Sequence, residues 1–246
     1  MNLDSMQKWD LDAQRTFWNE WDARHLQDTT IGADAVRRGE EVLSLLRSCS
    51  LHRPQILELG CGNGWLAEKL VEFGPVTGVD LADGAISEAR QKVPSGTFHT
   101  GDALSLDLPV EAFDVVITLE MFSHVPSQLL LTELMARVLK KNGYLILTTQ
   151  NRTVYVRRKD IAPAANGQLR RWVTMRELRG KLRPHFHVLK ATTIQPAGNL
   201  GFLRIINSSK INRLVSKVIP KPALERLKES CGLGQTLIVL AKKRTQ

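Results

Sequence analysis

Residues 56–67 read Ile-Leu-Glu-Leu-Gly-Cys-Gly-Asn-Gly-Trp-Leu-Ala, an apolar run followed at once by three glycines at alternate positions. Glycine adopts backbone angles closed to other residues, and it lets a ligand lie against the main chain. A strand before the first glycine and a helix after the third would place Gly60, Gly62 and Gly64 in the turn between them. Because open α/β sheets bind ligands at such turns, the pattern predicts a ligand site, with a tight connection as the alternative.

Strand-like and helix-like segments alternate along the rest of the chain. We expect strands at 55–59, 76–79, 97–100, 113–118, 144–149, 188–194 and 236–241, and helices at 5–26, 33–47, 66–73, 84–92, 128–140 and after Thr174. Strands that alternate with helices form a mostly parallel sheet covered by helices on both faces. The predicted fold class is therefore α/β.

A carboxylate closes the second predicted strand. Asp80 lies 20 residues after Gly60, at the distance where an acidic side chain can accept both hydroxyl groups of a ribose. The dinucleotide pattern G-x-G-x-x-G would need its third glycine at the position of the bulky Trp65, whereas this turn reads G-x-G-x-G. The two motifs predict a cofactor that carries a nucleoside, and they disfavour NAD.

Further motifs accompany this pair. They are Glu58 before the first glycine, Gly101-Asp102-Ala103 after the third strand, and FDVVITLEMFSHV at 113–125. The whole set, over residues 54–151, resembles the class I methyltransferases that use S-adenosylmethionine. The phrases LEMFSHVP and TTQNRT are similar to the ubiquinone-biosynthesis O-methyltransferases and to the surrounding type 11 group of small-molecule methyltransferases. Ser123 stands where that group commonly has an acid.

The resemblance implies a Rossmann-like, seven-stranded sheet whose last strand is antiparallel, with N-terminal helices and a helical insertion before that strand. A chain of 246 residues can form one elaborated domain. We expect a single domain over 1–246, consisting of a helical cap (1–50), a cofactor-binding core (51–151) and a substrate-side half (152–246) with a basic insertion at about 195–235.

The resemblance also implies a cofactor site for S-adenosylmethionine. Its residues would be Glu58, Gly60, Cys61, Gly62, Gly64, Asp80, Leu81, Asp102, Ala103 and Leu119. Asp80 would hold the ribose hydroxyls and Leu81 would lie against the adenine. Asp102, with the amide of Ala103, would contact the adenine amine, and a simple turn aspartate is the alternative. Cys61 is interpreted as a small residue between glycines rather than as a reactive thiol.

Two residues after the fourth strand are the catalytic candidates. A hydroxyl acceptor must lose a proton during methyl transfer, and His124 is the predicted base because imidazole titrates near working pH. Local packing of His124 is the alternative. Glu120 could orient this imidazole or help to hold a divalent ion. One His and one Glu do not form a metal site, so we expect no metal ligands.

Charge is divided unevenly along the chain. Residues 1–150 hold 13 Lys/Arg and 21 Asp/Glu, whereas residues 151–246 hold 21 Lys/Arg and 4 Asp/Glu, a balance of +17. The basic half favours an anionic small-molecule acceptor, an acidic membrane surface or RNA as its partner, with a solvated face as the alternative. Three cysteines without metal-like spacing indicate a reducing compartment. With no signal-like start and no long apolar run, we expect a cytoplasmic protein.

Two apolar stripes bear on selectivity. Phe17, Trp18 and Trp21 share one side of the first helix, which favours core packing or a lid. In the insertion a second stripe recurs at helical spacing, flanked by Lys210, Arg213 and Lys217, and consists of Ile211, Leu214, Val215, Val218 and Ile219. This amphipathic basic helix fits either a roof over the acceptor pocket or a contact with acidic lipid.

We therefore expect an S-adenosylmethionine-dependent O-methyltransferase whose acceptor is a quinone-type, sugar or natural-product hydroxyl. Methylation of a nitrogen or carboxyl group of a small metabolite is an alternative, because these groups also present a lone pair. The basic half leaves tRNA methylation open, but residues 151–246 offer only Tyr155, Trp172, Phe186 and Phe202 for stacking on bases. A protein that binds the cofactor without catalysis is the third alternative.

Overall fold

The computed structural model describes residues 10–25 and 32–245. One sheet organises this part of the chain, and its strands are β1 (Ile56–Leu59), β2 (Val76–Asp80), β3 (Thr97–Thr100), β4 (Phe113–Leu119), β5 (Leu139–Gln150), β6 (Phe186–Pro196) and β7 (Gly234–Lys243). Their order is β3-β2-β1-β4-β5-β7-β6. Because β7 is antiparallel to both of its neighbours and the other pairs are parallel, the predicted sheet with an antiparallel last strand is confirmed.

Helices precede the first strand and connect the later ones. They are α1 (Leu11–His25), α2 (Ala33–Ser48), α3 (Ala67–Leu70), α4 (Asp83–Lys92), α5 (Gln128–Val138), α6 (Arg152–Tyr155), α7 (Met175–Leu182), α8 (Gly201–Ile206), α9 (Ser209–Val215) and α10 (Lys221–Ser230). A short 3₁₀ turn, Phe122–His124, follows β4. Within the described residues, no helix is both long and apolar enough to cross a membrane.

The central parallel strands are buried on both faces, as expected where helices cover both sides of a sheet. All four residues of β1 are buried, and successive strand side chains point to opposite faces. Leu57 and Leu59 join a core with α5 and α7. Ile56 joins a second core with α2, α3 and α4 on the other face. Two hydrophobic layers therefore fix the positions of the strand ends.

Some predicted boundaries were wrong. The helix expected at 128–140 ends at Val138, because Ala112 N donates to Val138 O (3.0 Å) and Leu139 already pairs with Phe113 in the sheet. The helix expected at 66–73 is regular only over α3 and continues as turns. Residues 5–9 and 26 of the first expected helix lie outside the described residues. The helix start at Thr174 is confirmed, with both hydrogen bonds of a capping box.

Candidate functional site

The glycine turn after β1 is tied to the end of β2. Gly60, Gly62 and Gly64 all have positive φ, at +75°, +52° and +76°. Gly62 N donates to Asp80 Oδ2 at 2.8 Å, and Ala82 N donates to the other oxygen, Oδ1, at 3.0 Å. Each carboxylate oxygen has a second lone pair, so Asp80 can accept further donors while it holds the turn.

The three glycines serve different purposes. A Cβ on Gly60 would lie 2.8 Å from Met121 Cβ, and one on Gly64 would lie 3.0 Å from Ala89 Cβ. A Cβ on Gly62 would meet no atom of the described chain within 4 Å. Gly60 and Gly64 are therefore required for packing, and of these three glycines only Gly62 has open space where its Cβ would lie.

This difference predicts opposite effects of alanine. Gly60→Ala and Gly64→Ala should each lower the free energy of unfolding by about 2 kcal/mol or more, because a left-handed backbone and a close contact coincide. Gly62→Ala should lower it by only about 1 kcal/mol, yet weaken S-adenosylmethionine binding about tenfold or more, since its methyl group fills the ligand space. Thermal unfolding and calorimetry measure the two quantities. Wild-type cofactor affinity in Gly62→Ala would contradict this assignment.

Acidic groups accumulate beside the turn. Glu58 is buried, and its Oε2 has no hydrogen-bond partner among the described residues. Burial, followed by the charge of Asp80, raises the pKa of Glu58 well above its usual range. Burial also raises the pKa of Asp80, although its backbone hydrogen bonds act in the opposite direction. One buried acid with an orphaned oxygen and one half-buried acid favour a ligand with several hydrogen-bond donors or a positive charge.

The third strand end adds Asp102 to this side. Gly101 N donates to Asp80 O at 2.8 Å, which brings Asp102 next to the end of β2. Asp102 accepts from Leu104 N (3.1 Å) and from Ser105 Oγ (2.9 Å). It is therefore a turn aspartate, and its remaining lone pairs can still accept from a ligand.

Three other predicted residues follow the ends of β1, β2 and β3. Ala103 is buried and Leu81 is half-buried. Cys61 is buried, and burial raises the pKa of its thiol well above the usual range, so the thiol is not activated.

Helix α1 packs against the start of α4, next to the end of β2. Asn19 Oδ1 accepts from Gly84 N at 3.2 Å. Burial, together with the negative charges of Asp80 and Glu88, raises the pKa of Asp22 from 3.8 to about 7. A carboxylate at this position therefore destabilises the folded protein when it is ionised.

The position of Asp22 gives a pH prediction. Its folded pKa is raised, so the penalty is full above about pH 7 and fades as the pH falls towards the unfolded value near 4. Asp22→Asn should therefore raise the free energy of unfolding by about 1–2 kcal/mol at pH 8, after allowance for solvent screening, and by much less at pH 5. Asp12→Asn, an exposed change on the same helix, is the control for thermal unfolding at both pH values. Equal effects of Asp22→Asn at pH 5 and pH 8 would contradict the assignment.

His124 lies in the 3₁₀ turn after β4. Its Nδ1 is 2.6 Å from Leu169 O, which can only accept, so Nδ1 carries the proton and Nε2 is the acceptor nitrogen of the ring. Nε2 faces Gln150 Nε2 at 3.4 Å, and Gln150 Oε1 accepts from Ser123 Oγ. Burial, and then the charge of Arg170, lowers the pKa of His124 to about 4 against the effect of the Leu169 contact. The imidazole is therefore neutral and fixed in one tautomer.

Glu120 has a strained backbone and a different set of partners. Its φ is +65°, a conformation that costs about 1 kcal/mol or more outside glycine. Glu120 N is held by Thr148 O (3.2 Å), and Thr148 Oγ1 donates to Glu120 Oε1 (3.0 Å). Burial raises the pKa of Glu120, and the charge of Arg38 partly opposes this. Leu119, at the end of β4, is half-buried beside it.

Several residues near His124 and Glu120 could not be predicted from a local sequence pattern. Gln14 Nε2 donates to His124 O at 2.5 Å, and the Trp18 ring lies edge-on to the imidazole at 5.0 Å. Arg38 Nε is buried without a hydrogen-bond partner in the described part of the chain. The aromatic stripe of α1 thus has two roles, because Phe17 is core while Trp18 covers His124.

An aromatic and cationic cluster follows β5. The Tyr155 and Trp172 rings lie 5.0 Å apart, with Arg158 5.5 Å over Tyr155 and Arg170 6.0 Å over Trp172. Burial, together with the charge of Glu120, raises the pKa of Tyr155 to about 12, so its hydroxyl remains a donor. Across the described residues, no group of three or more His, Cys, Asp or Glu side chains is arranged to hold a metal ion.

Comparisons with known proteins agree with this geometry. Residues 57–147 match a methyltransferase domain family. A ubiquinone biosynthesis O-methyltransferase of Idiomarina loihiensis is 36% identical over 106 residues, 41% of this chain and 44% of the relative. A protein of the same name from Burkholderia vietnamiensis is 28% identical over 180 residues, 65% of this chain and 76% of the relative. A Haloferax volcanii methyltransferase, solved with the Trm112 methyltransferase activator, superposes with a TM-score of 0.66 at 18% identity and covers 95% of this chain and 98% of the other.

These matches cover different lengths of the chain. The chain spans less than half of the length of the first curated relative, and the family match covers the part from β1 to β5. At 18% identity the structural likeness concerns the fold. The resemblance to the class I methyltransferases that the motifs predicted is confirmed.

Proposed function

We propose that this chain, a class I methyltransferase by its fold and by its domain match over residues 57–147, transfers the methyl group of S-adenosylmethionine to a hydroxyl group of a small organic acceptor. One observation carries the proposal. The Gly62 turn, bonded to Asp80, and the single-tautomer imidazole of His124 lie on the same edge of the sheet. This edge is where the parallel strands β1, β2 and β4 all end.

The residues of the glycine turn fit the cofactor. Asp80 has lone pairs for the ribose hydroxyls, and the open side of Gly62 leaves room for them. Glu58 has an oxygen without a partner in the described chain, and it can accept from an ammonium or water donor. Asp102 would accept from the adenine amine, and Leu81 would lie beside the ring. When bound, S-adenosylmethionine supplies a methyl carbon on a sulfonium leaving group.

His124 removes the proton of the acceptor. As the methyl group of a bound cofactor passed from sulfur to the acceptor oxygen, the hydroxyl proton would move to Nε2, the unprotonated ring nitrogen, in place of the Gln150 amide that faces it at 3.4 Å. Leu169 O keeps the ring in place throughout, since it accepts from Nδ1. Such positioned bases contribute about 10²–10⁴-fold to the rate.

The acceptor lies between α1, the 3₁₀ turn and the segment that contains Tyr155 and Trp172. Two half-buried rings and the guanidinium groups of Arg38 and Arg170 favour a planar acceptor with negative charge. The curated relatives named ubiquinone biosynthesis O-methyltransferases support a hydroxyl rather than an amine.

Methyl transfer from labelled S-adenosylmethionine tests the proposal directly. The acceptor panel contains phenols and catechols with and without a carboxylate, sugars, amines, aliphatic carboxylates and tRNA. We expect label on phenolic hydroxyl groups, more on carboxylated ones, and none with Asp80→Ala. Label only on amines, carboxylates or tRNA would refute O-methylation, and cofactor binding without any transfer would favour a binding protein.

A further inference from the structure

The insertion between β6 and β7 exposes apolar side chains. Of the fourteen large hydrophobic residues that are exposed in the described chain, six lie within residues 202–227. They are Phe202, Ile205, Ile211, Leu214, Val218 and Leu227. A concentration of exposed apolar residues in one segment is a mark of interaction surfaces, whereas isolated exposed residues are ordinary.

Helix α9 is the least packed part of this insertion. None of its residues is buried, and Leu214 and Val218 are 66% and 86% exposed. The turn after α9 extends the helical geometry, because Ile219 N donates to Val215 O at 2.9 Å. The stripe therefore does not roof an acceptor pocket, since a roof would bury it.

The two neighbouring helices hold α9 at the surface. Leu203 of α8 is buried, and Glu229 of α10 accepts from Arg37 (2.5 Å) and from Gln195 N (2.9 Å). Lys228 Nζ donates to Asn212 Oδ1 of α9 at 3.0 Å. The apolar face is thus presented on a fixed support rather than on a loose tail.

Charge separates the candidate occupants of this face. Residues 200–222 contain Arg204, Lys210, Arg213, Lys217 and Lys221 and no Asp or Glu. A second copy of this chain that paired through the same face would place these cations against one another. RNA would need aromatic side chains for its bases, and Phe202 is the single aromatic residue here. An anionic bilayer satisfies both features, because its headgroups attract the cations and its interior accepts the apolar side chains.

We propose that α8, α9 and the start of α10 form a docking surface for an acidic membrane, with the α9 stripe inserted at the headgroup level. The surface adjoins the segment after α6, near the proposed acceptor position. Asn199 N donates to Arg157 O (2.9 Å), and the Arg157 guanidinium lies 5.0 Å over the Phe202 ring. Docking is independent of the acceptor chemistry, so vesicle binding tests it apart from methyl transfer.

Co-sedimentation of the full chain with vesicles is the test. At about 0.1 M salt, we expect binding to vesicles with one third phosphatidylglycerol and none to pure phosphatidylcholine. Leu214→Ser/Val218→Ser should lower the partition constant about tenfold or more. Lys210→Gln/Arg213→Gln/Lys217→Gln should lower it about a hundredfold. Neither variant should unfold, because α9 buries no residue.

Matched controls use exposed residues elsewhere. Leu129→Ser/Leu130→Ser changes two exposed apolar residues of α5, and Arg176→Gln/Arg179→Gln/Arg183→Gln removes three exposed charges at α7. The controls should bind like the wild type. The proposal is overturned if the wild type ignores anionic vesicles, or if the controls weaken binding as much as the α9 variants. Retention of tRNA that needs α9, without vesicle binding, would also overturn it.

Discussion

Replacing His124 by Ala should lower kcat by about two to four orders of magnitude, while cofactor affinity stays within about threefold of the wild type. The reason is that Nε2 is the unprotonated nitrogen of the ring, whereas the proposed cofactor site is built from the ends of β1, β2 and β3. Steady-state kinetics with the best acceptor and calorimetry with S-adenosylhomocysteine measure the two quantities. A variant with wild-type turnover would end the catalytic role of His124.

His124→Asn separates catalysis from positioning. The Asn amide can still donate to Leu169 O, as Nδ1 does at 2.6 Å, but it has no basic nitrogen. We expect the Asn variant to be nearly as slow as the Ala variant. Recovery of activity by Asn would mean that the side chain positions the loop at Leu169 and does not take the proton.

The pH profile provides an independent check on the same residue. Because burial lowers the pKa of His124 to about 4, the imidazole stays neutral from about pH 5 upwards. The fall of kcat at acid pH that depends on His124 should have its midpoint near 4 rather than near the ordinary 6.5. A midpoint near 6.5 would show that the ring is more solvated during turnover than the folded structure indicates.

Asp80→Ala should weaken binding of S-adenosylmethionine about a hundredfold or more. The change removes a charged acceptor for two ribose hydroxyls, and each such hydrogen bond contributes about 1.5–3 kcal/mol. It also frees Gly62 N and Ala82 N, which hold the turn next to the strand end. Calorimetric titration with S-adenosylmethionine and with S-adenosylhomocysteine measures the loss.

Two further variants serve as controls for this prediction. Asp80→Asn preserves size and one acceptor oxygen and should weaken binding by only about tenfold. Asp107→Ala removes an exposed carboxylate from the loop between β3 and β4 and should bind normally. If Asp80→Ala is folded by circular dichroism and binds like the wild type, the ribose lies elsewhere.

The part of the fold that depends on local patterns was predictable. Apolar runs identified the central strands β1 and β4 and the second half of β5, because a strand that is covered on both faces is apolar over most of its length. Helix ends were less accurate. The basic residues Lys140 and Lys141 look like a helix terminus, but pairing of Leu139 with Phe113 draws the chain into β5 before it reaches them. Tertiary pairing overrode the local signal there.

The candidate site also contains both residues that the sequence predicted and residues that it did not. Gly62 and Asp80 are connected by a spacing that any parallel sheet of this kind imposes, so the sequence alone predicted their proximity. Gln14, Arg38 and Leu169 reach His124 or Glu120 from segments far away in the chain. No period or spacing connects such residues, because only the packing of α1, α2 and the loop at Leu169 brings them together.

The amphipathic stripe of α9 shows a third limit. Its spacing predicted a helix, which the structure confirms over Ser209–Val215. The same spacing suits a helix buried against the protein and a helix that faces another phase. Exposure of Leu214 and Val218 distinguishes these cases, and exposure is a property of the packed structure.

Calorimetric titration of the wild-type chain with S-adenosylmethionine and S-adenosylhomocysteine is the most direct measurement of whether the Gly62–Asp80 turn holds an adenosyl cofactor. We predict one binding site for each compound, with dissociation constants between about 1 µM and 1 mM, and competition between the two. Absence of binding heat and of competition for both compounds, in protein shown to be folded, would contradict the account.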